Sequence, residues 1–343
     1  MLAGRLSTAS GRRLSKVVVT SRAFDSTLER LSAVADVVVS NESSQPWEAD
    51  VLHGHATDAE AMLCFMTDTV SSTFLERCPQ MRLVACALKG YDNFDLAACS
   101  AHGVAVTAVP DLLTAPTAEL AVALTLSLGR HVLDGDRLVK AGEFRGWRPM
   151  LYGTGLAGSV VGLLGFGAVG HAIATRLQGF DVGELLYVDT REASPEALGA
   201  RHVAGGVDEL LRRSDVLIVC TPLNEGTRHV IDGGTLRRHA KPGLLLVNIS
   251  RGSCVKEADV ADALECGVLG GYAADVFEFE DWALPNRPRG IEPRLLTHER
   301  TLFTPHLGSA VATVRQRIEH EAADEIVRLA QGLPLRHRVN EIL

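Results

Sequence analysis

Four polar residues in the C-terminal half, Arg251, Asp275, Glu280 and His306, are of the types that pass a hydride and a proton between small molecules. A guanidinium holds an anion through a rigid two-point fork. An imidazole titrates near neutral pH and can take the proton a substrate releases. A carboxylate beside that imidazole fixes its orientation and favours its charged form. Hydride chemistry also needs a carrier, and upstream of all four stands Gly165-Phe166-Gly167-Ala168-Val169-Gly170. This run follows the apolar stretch Val160–Leu164 and opens the helical HAIATRLQGF, the strand–turn–helix context of a dinucleotide-binding turn. There Gly165 would allow the tight bend, Gly167 the close approach of backbone to pyrophosphate, and Gly170 close helix–strand packing, with the phosphates at the helix N-terminus. Asp189, at the end of the next strand, would accept hydrogen bonds from the adenosine ribose and repel a 2′-phosphate, which favours NAD. Arg191 follows closely and could meet that phosphate, which leaves NADP as a poorer cofactor.

These residues must be positioned by a parallel α/β framework. Strand-like runs occur at Lys16–Thr20, Ala61–Phe65, Leu83–Ala87 and Val104–Thr107, with helical stretches at Thr73–Arg77 and Phe94–Ala101 between them. A long helical region follows, Thr117–Gly129 and Val132–Gly142, with Leu120, Ala123, Leu124 and Leu128 at helical spacing. After a loop at Glu143–Ala157 rich in glycine and aromatics, a second series of strands runs through Val160–Leu164, Leu185–Asp189, Val216–Cys220, Leu244–Asn248, Gly271–Val276 and Thr301–Thr304. The last segment, Ser309–Gln331, reads as one helix. The pattern predicts two α/β units of unequal size.

The 343 residues carry a net charge of −8 and are 46% hydrophobic, which argues against nucleic-acid or membrane-surface partners. No apolar run reaches bilayer length. Seven cysteines without a CxxC pair suit reduced thiols in the cytoplasm, and no metal site is expected. The first sixteen residues are basic and Ser-rich. They read either as a transit peptide or as a tail, and the favoured expectation is a disordered tail over residues 1–15.

Three downstream motifs, Asn248-Ile249-Ser250-Arg251-Gly252, Asp275-Val-Phe-Glu-Phe-Glu280 and Thr304-Pro-His306-Leu-Gly308-Ser309, resemble in order and spacing the signatures of the D-2-hydroxyacid dehydrogenase superfamily. That resemblance implies two Rossmann-like domains of parallel sheet with a cleft between them. The NAD-binding domain would be residues 113–305, and residues 16–112 with 306–343 would form a discontinuous substrate domain. It implies that Arg251 orients an anionic substrate, His306 handles the proton, Glu280 supports His306, and Asp275 lies near the nicotinamide. Thr117, Val169, Cys220, Thr221, Pro222, Ile249, Ser250, Arg251, His306 and Gly308 would join the glycines and Asp189 around the cofactor.

Within the superfamily the resemblance is closest to the phosphite (phosphonate) dehydrogenases. It is carried by Ala87-Leu-Lys89-Gly90-Tyr-Asp-Asn93-Phe-Asp95, by Val109–Leu120, by Gly142–Leu156 and by Gly270–Ala283. The superfamily commonly has a small residue or glycine where Lys89 stands. By this similarity Lys89, Gly90 and Arg251 bind phosphite, Met66, Trp147, Tyr152 and Ser309 line the site, and Arg315 is a further cation. Asp189-Thr190 departs from the glutamate–alanine pair of that group, so the pattern implies NAD use and leaves open how strictly NADP is refused. A homodimer is implied by the family alone. Water would attack phosphorus as hydride leaves, with His306 the favoured base and Arg251 the other candidate. A dianion suits the extra cation, because a second charge about 4 Å away adds roughly 4 kcal/mol of attraction at an effective dielectric near 20, before desolvation. Two alternatives stay open: a dehydrogenase acting on a small carboxylate, and a non-catalytic dinucleotide-sensing protein.

Overall fold

The structure, a computed structural model, describes residues 11–40, 47–191 and 198–342. It divides into two compact units, Met1–Leu113 with Val311–Leu343, and Thr114–Ala310.

The first unit is built on a five-stranded parallel sheet of order β2-β1-β3-β4-β5. Its strands are Leu14–Val19 (β1), Ala35–Val39 (β2), Ala61–Cys64 (β3), Leu83–Cys86 (β4) and Ala105–Ala108 (β5). Every residue of β3, β4 and β5 is buried. That explains why β3 and β4 are unbroken apolar runs rather than alternating ones: helices cover both faces. On one face Val17, Val19, Leu63 and Ala85 pack with Ile318, Ala322 and Ile326 of helix Ala312–Ala330. On the other, Val18, Met62 and Val84 pack with Leu52, Phe74 and Leu75. β2 has no counterpart among the sequence expectations, because its single short apolar run ADVVV lies at the sheet edge.

The expected tail needs correcting. Residues 1–10 lie outside the described residues, but Gly11–Ser15 are part of the unit. The Arg12 N–H donates to Ala330 O at 2.9 Å, and β1 starts at Leu14. Glu60 then takes the Arg12 guanidinium and, at 2.8 Å, the Ser15 N–H. A buried carboxylate needs such partners, and the basic N-terminal run supplies them.

The second unit holds a seven-stranded parallel sheet of order β12-β11-β10-β9-β6-β7-β8. Its strands are Val160–Leu164 (β6), Glu184–Val188 (β7), Ala200–His202 (β8), Val216–Val219 (β9), Leu244–Asn248 (β10), Leu269–Ala274 (β11) and Thr301–Phe303 (β12). The strand order reverses between β6 and β9, and open sheets of this kind offer their ligand site at the carboxyl ends of the strands beside such a switch. Helix Thr114–Gly129 supplies Ala118, Ala121, Leu124 and Leu128 to one face of the sheet, packed with Ile173 and Leu177 of helix Ala168–Leu177. The chain re-enters the first unit at Val311, so His306, Gly308 and Ser309 belong to the second. No helix among the described residues is long and apolar enough to cross a membrane.

Candidate active site

The glycine turn links the end of β6 to helix Ala168–Leu177. Gly165 has φ +103°, and a Cβ there would lie 2.8 Å from the carbonyl oxygen of Cys220, just past β9. Only glycine permits both the backbone angle and the contact. A Cβ on Gly170 would meet Gly165 O at 2.6 Å, so this residue lets the helix sit on the turn. At Gly167, the residue capping the helix, a Cβ would meet nothing within 4 Å, which leaves the mouth of the turn open at the helix N-terminus. Asp189 Oδ2 accepts the Phe166 N–H at 2.6 Å, tying the acid beyond β7 to this turn. Burial works against its charge. Backbone donors Phe166 and Arg191 outweigh burial and hold the carboxyl below the usual carboxylate range. Cys220 Sγ donates to Gly165 O at 3.0 Å, and burial pushes the thiol up to about 12, so it remains a donor. These residues fit a dinucleotide: an open turn, free helix N–H groups and an ionised acid beyond the neighbouring strand.

The reacting groups stand past β10, β11 and β12. Asp275, directly after β11, accepts Thr304 Oγ1 at 2.6 Å and Leu307 N at 2.7 Å on one oxygen, and Gly308 N at 2.8 Å on the other. Burial pushes its carboxyl up, and Thr304 and these backbone donors oppose the shift. The His306 N–H donates to Asp275 O at 2.8 Å, which helps hold His306 at φ +56°. Its ring Nδ1 is 2.9 Å from Glu280 Oε2, while Glu280 Oε1 accepts the Phe277 N–H at 2.9 Å. Arg251, past β10, is held by its backbone: Asn248 Nδ2 donates to Arg251 O at 2.9 Å, and Asn248 Oδ1 accepts both N–H and Oγ–H of Ser250. Gly252 joins these two regions, since a Cβ there would fall 1.8 Å from the carbonyl carbon of Phe277. The Arg251 turn and the Glu280 turn therefore touch backbone to backbone. Thr117 reaches the same place, its Oγ1 donating to Gly308 O at 3.3 Å.

In the first unit, Lys89 lies half-buried past the end of β4, after the buried pair Ala87 and Leu88. Burial lowers the affinity of its ammonium for the proton, and Asp111 partly restores it. Arg315, on helix Ala312–Ala330, is a second cation against this loop, donating from Nη1 to Ala87 O at 3.2 Å with its guanidinium 5.9 Å from the Phe65 ring centre. Burial lowers its pKa as well, opposed by Glu319. The Met66 carbonyl accepts Asn93 Nδ2 at 2.7 Å, so the loops past β3 and β4 are bonded together.

The sequence profile of the D-isomer specific 2-hydroxyacid dehydrogenase NAD-binding domain matches residues 122–308. The chain belongs to that family. A glyoxylate reductase of Aeropyrum pernix is 34% identical over 323 residues, covering 92% of this chain and 93% of its own. The 2-hydroxyacid dehydrogenase of Ketogulonicigenium vulgare superimposes with a TM-score of 0.81 at 28% identity, over 96% of this chain and 100% of that one. An NADPH-dependent glyoxylate/hydroxypyruvate reductase of Sinorhizobium meliloti, solved with NADP and malonate, has a TM-score of 0.80 at 26% identity, over 95% and 96%. The second unit is thus the NAD-binding domain of a 2-hydroxyacid dehydrogenase, and relatives use NAD or NADP.

Among the residues singled out in the sequence, the second unit brings Arg251, Asp275, Glu280, His306 and Gly308 into one hydrogen-bonded group. Ile249 and Ser250 are buried beside it, with Thr221 and Pro222 past β9 and Val169 in the glycine-turn helix. Ser309 follows Gly308, half-buried. Trp147 and Tyr152 stand apart: they are 84% and 77% exposed, so neither is packed into its unit. Sequence reasoning missed Thr304, Asn248 and Gly252 as the residues that hold the others, although all three sit inside the motifs. It also missed His229, which no motif contains.

Proposed function

We propose that this dehydrogenase oxidises phosphite to phosphate with NAD. The observation that carries the reading is Lys89, a half-buried lysine on the loop past β4, where the Ala87 carbonyl also accepts Arg315, in a chain segment resembling the phosphite enzymes. Positive charge supplied by both Lys89 and Arg251 suits a doubly charged oxyanion, since a second cation about 4 Å away adds roughly 4 kcal/mol of attraction at an effective dielectric near 20, before desolvation. Lys89 and Arg251 bind the oxyanion, with Gly90, Met66 and Ser309 at its edges.

Bound NAD supplies the hydride acceptor. The phosphite P–H bond breaks as its hydride leaves, a water oxygen bonds to phosphorus, and one proton is released. His306 takes that proton at Nε2, because Nδ1 is engaged by Glu280, which orients the ring. Arg251 holds the oxyanion in line by its planar fork. Exposed Phe144, Trp147, Met150 and Tyr152, together with Val132 and Val139, support association of two copies through this segment.

A second reading, a dehydrogenase of a small 2-hydroxy carboxylate, is favoured by the relatives named glyoxylate reductase, such as that of Aeropyrum pernix. The deciding experiment measures NADH formation with phosphite beside a panel of 2-hydroxy acids, and NADH consumption with glyoxylate. Phosphite turnover well above the rest is expected. Faster turnover of a carboxylate would replace the phosphite reading with the second, and no turnover of any of them would favour a sensor.

A further inference from the structure

We propose that His229 is a positioning residue for the reacting groups, acting through Glu278. The proposal rests on the reading that Arg251, Glu280 and His306 perform the chemistry. The single turn Glu278–Glu280 sends two carboxylates to two histidines. Glu280 Oε2 lies 2.9 Å from His306 Nδ1, and Glu278 Oε1 lies 2.6 Å from His229 Nε2. Both histidines are in the left-handed backbone region, at φ +56° and +51°. A non-glycine residue persists there only when its surroundings over-determine it.

The bonds around His229 show what does so. Its N–H donates at 2.7 Å to Ser253 O, on the turn that begins with Arg251 and Gly252. Its ring holds Glu278, on the turn that carries Glu280. His229 therefore bridges the two turns whose relative placement sets Arg251 against His306. The remaining contacts close the bracket. Glu278 Oε2 accepts Glu257 N at 3.0 Å while Glu278 N donates to Glu257 Oε1 at 2.7 Å, and Asp281 Oδ2 accepts Ser253 N at 2.6 Å. The backbone contact at Gly252 leaves no slack between the turns.

Without the imidazole, one oxygen of the buried Glu278 carboxylate loses its partner, and the turn shifts to find another. Glu280 moves with it and carries the His306 ring away from its bound geometry. A misplacement near 1 Å costs about 100-fold in rate.

The test compares His229→Leu, which keeps the volume and removes the hydrogen bond, with His229→Gln, which keeps a donor. On whichever substrate the wild-type enzyme turns over, His229→Leu is expected to lower kcat by about 10- to 100-fold. The KM for NAD should stay within about twofold, and His229→Gln should recover most of the loss. In a His306→Ala background, His229→Leu should add nothing further, because the two act along one path. The positioning role is overturned if His229→Leu lowers Tm while leaving kcat unchanged, or if its full loss persists in the His306→Ala background. A fully active His306→Ala enzyme overturns the underlying site assignment instead, so the two failures are told apart.

Discussion

The two units hold polar residues at the carboxyl ends of parallel strands by different means. In the second unit every reacting group is pinned by several bonds: Asp275 takes three donors, His306 is held through backbone and ring, and Gly252 presses two turns together. In the first unit Lys89 and Arg315 stand against burial, which pushes the pKa of both down. The difference separates shared chemistry from substrate choice. The family profile, at residues 122–308, falls inside the second unit, where hydride and proton transfer demand fixed geometry. On the proposed reading the substrate is selected by a few charges in the first unit, which lies outside that match and can change without disturbing the fold.

The comparison breaks most visibly at His306. His306→Ala should lower kcat by about 10²–10⁴-fold, the worth of a positioned base, and leave NAD binding, followed by titration of protein fluorescence, almost unchanged. An unchanged kcat would remove His306 from the mechanism.

Lys89→Ala tests the other side. Loss of a charged hydrogen bond of about 1.5–3 kcal/mol should raise the phosphite KM roughly 10- to 150-fold, while the KM for NAD stays put. Lys89→Arg should restore only part, since a planar fork does not replace a compact ammonium. Steady-state kinetics varying phosphite at saturating NAD read this directly, and a KM altered less than about twofold would return carboxylates as the leading substrates.

Asp189 should show a smaller effect. Asp189→Ala is expected to shift the ratio of kcat/KM for NADP over NAD upward by about 10-fold, or ~1.4 kcal/mol, by removing an ionised carboxylate that is tied to the glycine turn and that on the proposed reading meets the ribose. A parent enzyme that already prefers NADP would contradict this reading of Asp189.

A separate effect concerns stability rather than turnover. Burial raises the Asp68 carboxyl to about 6, against hydrogen bonds from Thr20 and the Phe65 N–H. Because its folded pKa lies above the unfolded value, the folded state holds the proton more tightly. Its contribution to stability is full below about pH 4 and falls as pH rises to about 6. Asp68→Asn should remove that slope and gain on the order of 2–3 kcal/mol above pH 6, seen as a higher Tm there. Equal pH dependence of Tm in the two proteins would show that Asp68 titrates alike folded and unfolded.

Much of the scaffold was legible because its signals are local. Unbroken apolar runs marked β3, β4, β6, β9 and β10, since a parallel strand covered on both faces has no polar side to show. The short edge strands β2 and β8 escaped notice, β2 a single five-residue run and β8 only three residues, two of them polar. The expected tail was misjudged over Gly11–Ser15 because basic residues read as solvent-exposed, while their partner Glu60 lies in a distant part of the sequence.

The sequence by itself determined the glycine turn, the acid beyond the next strand, and the residue types Arg251, Glu280 and His306, because each is tied to a strand end by short-range pattern. Only the tertiary structure decided how these residues are held. Asp275 gathers the His306 loop, Gly252 seats one turn on another, and His229 reaches Glu278. The physical reason is that each of these contacts joins residues from different strand ends. A hydrogen bond between them exists only once the parallel sheet has set β10, β11 and β12 side by side.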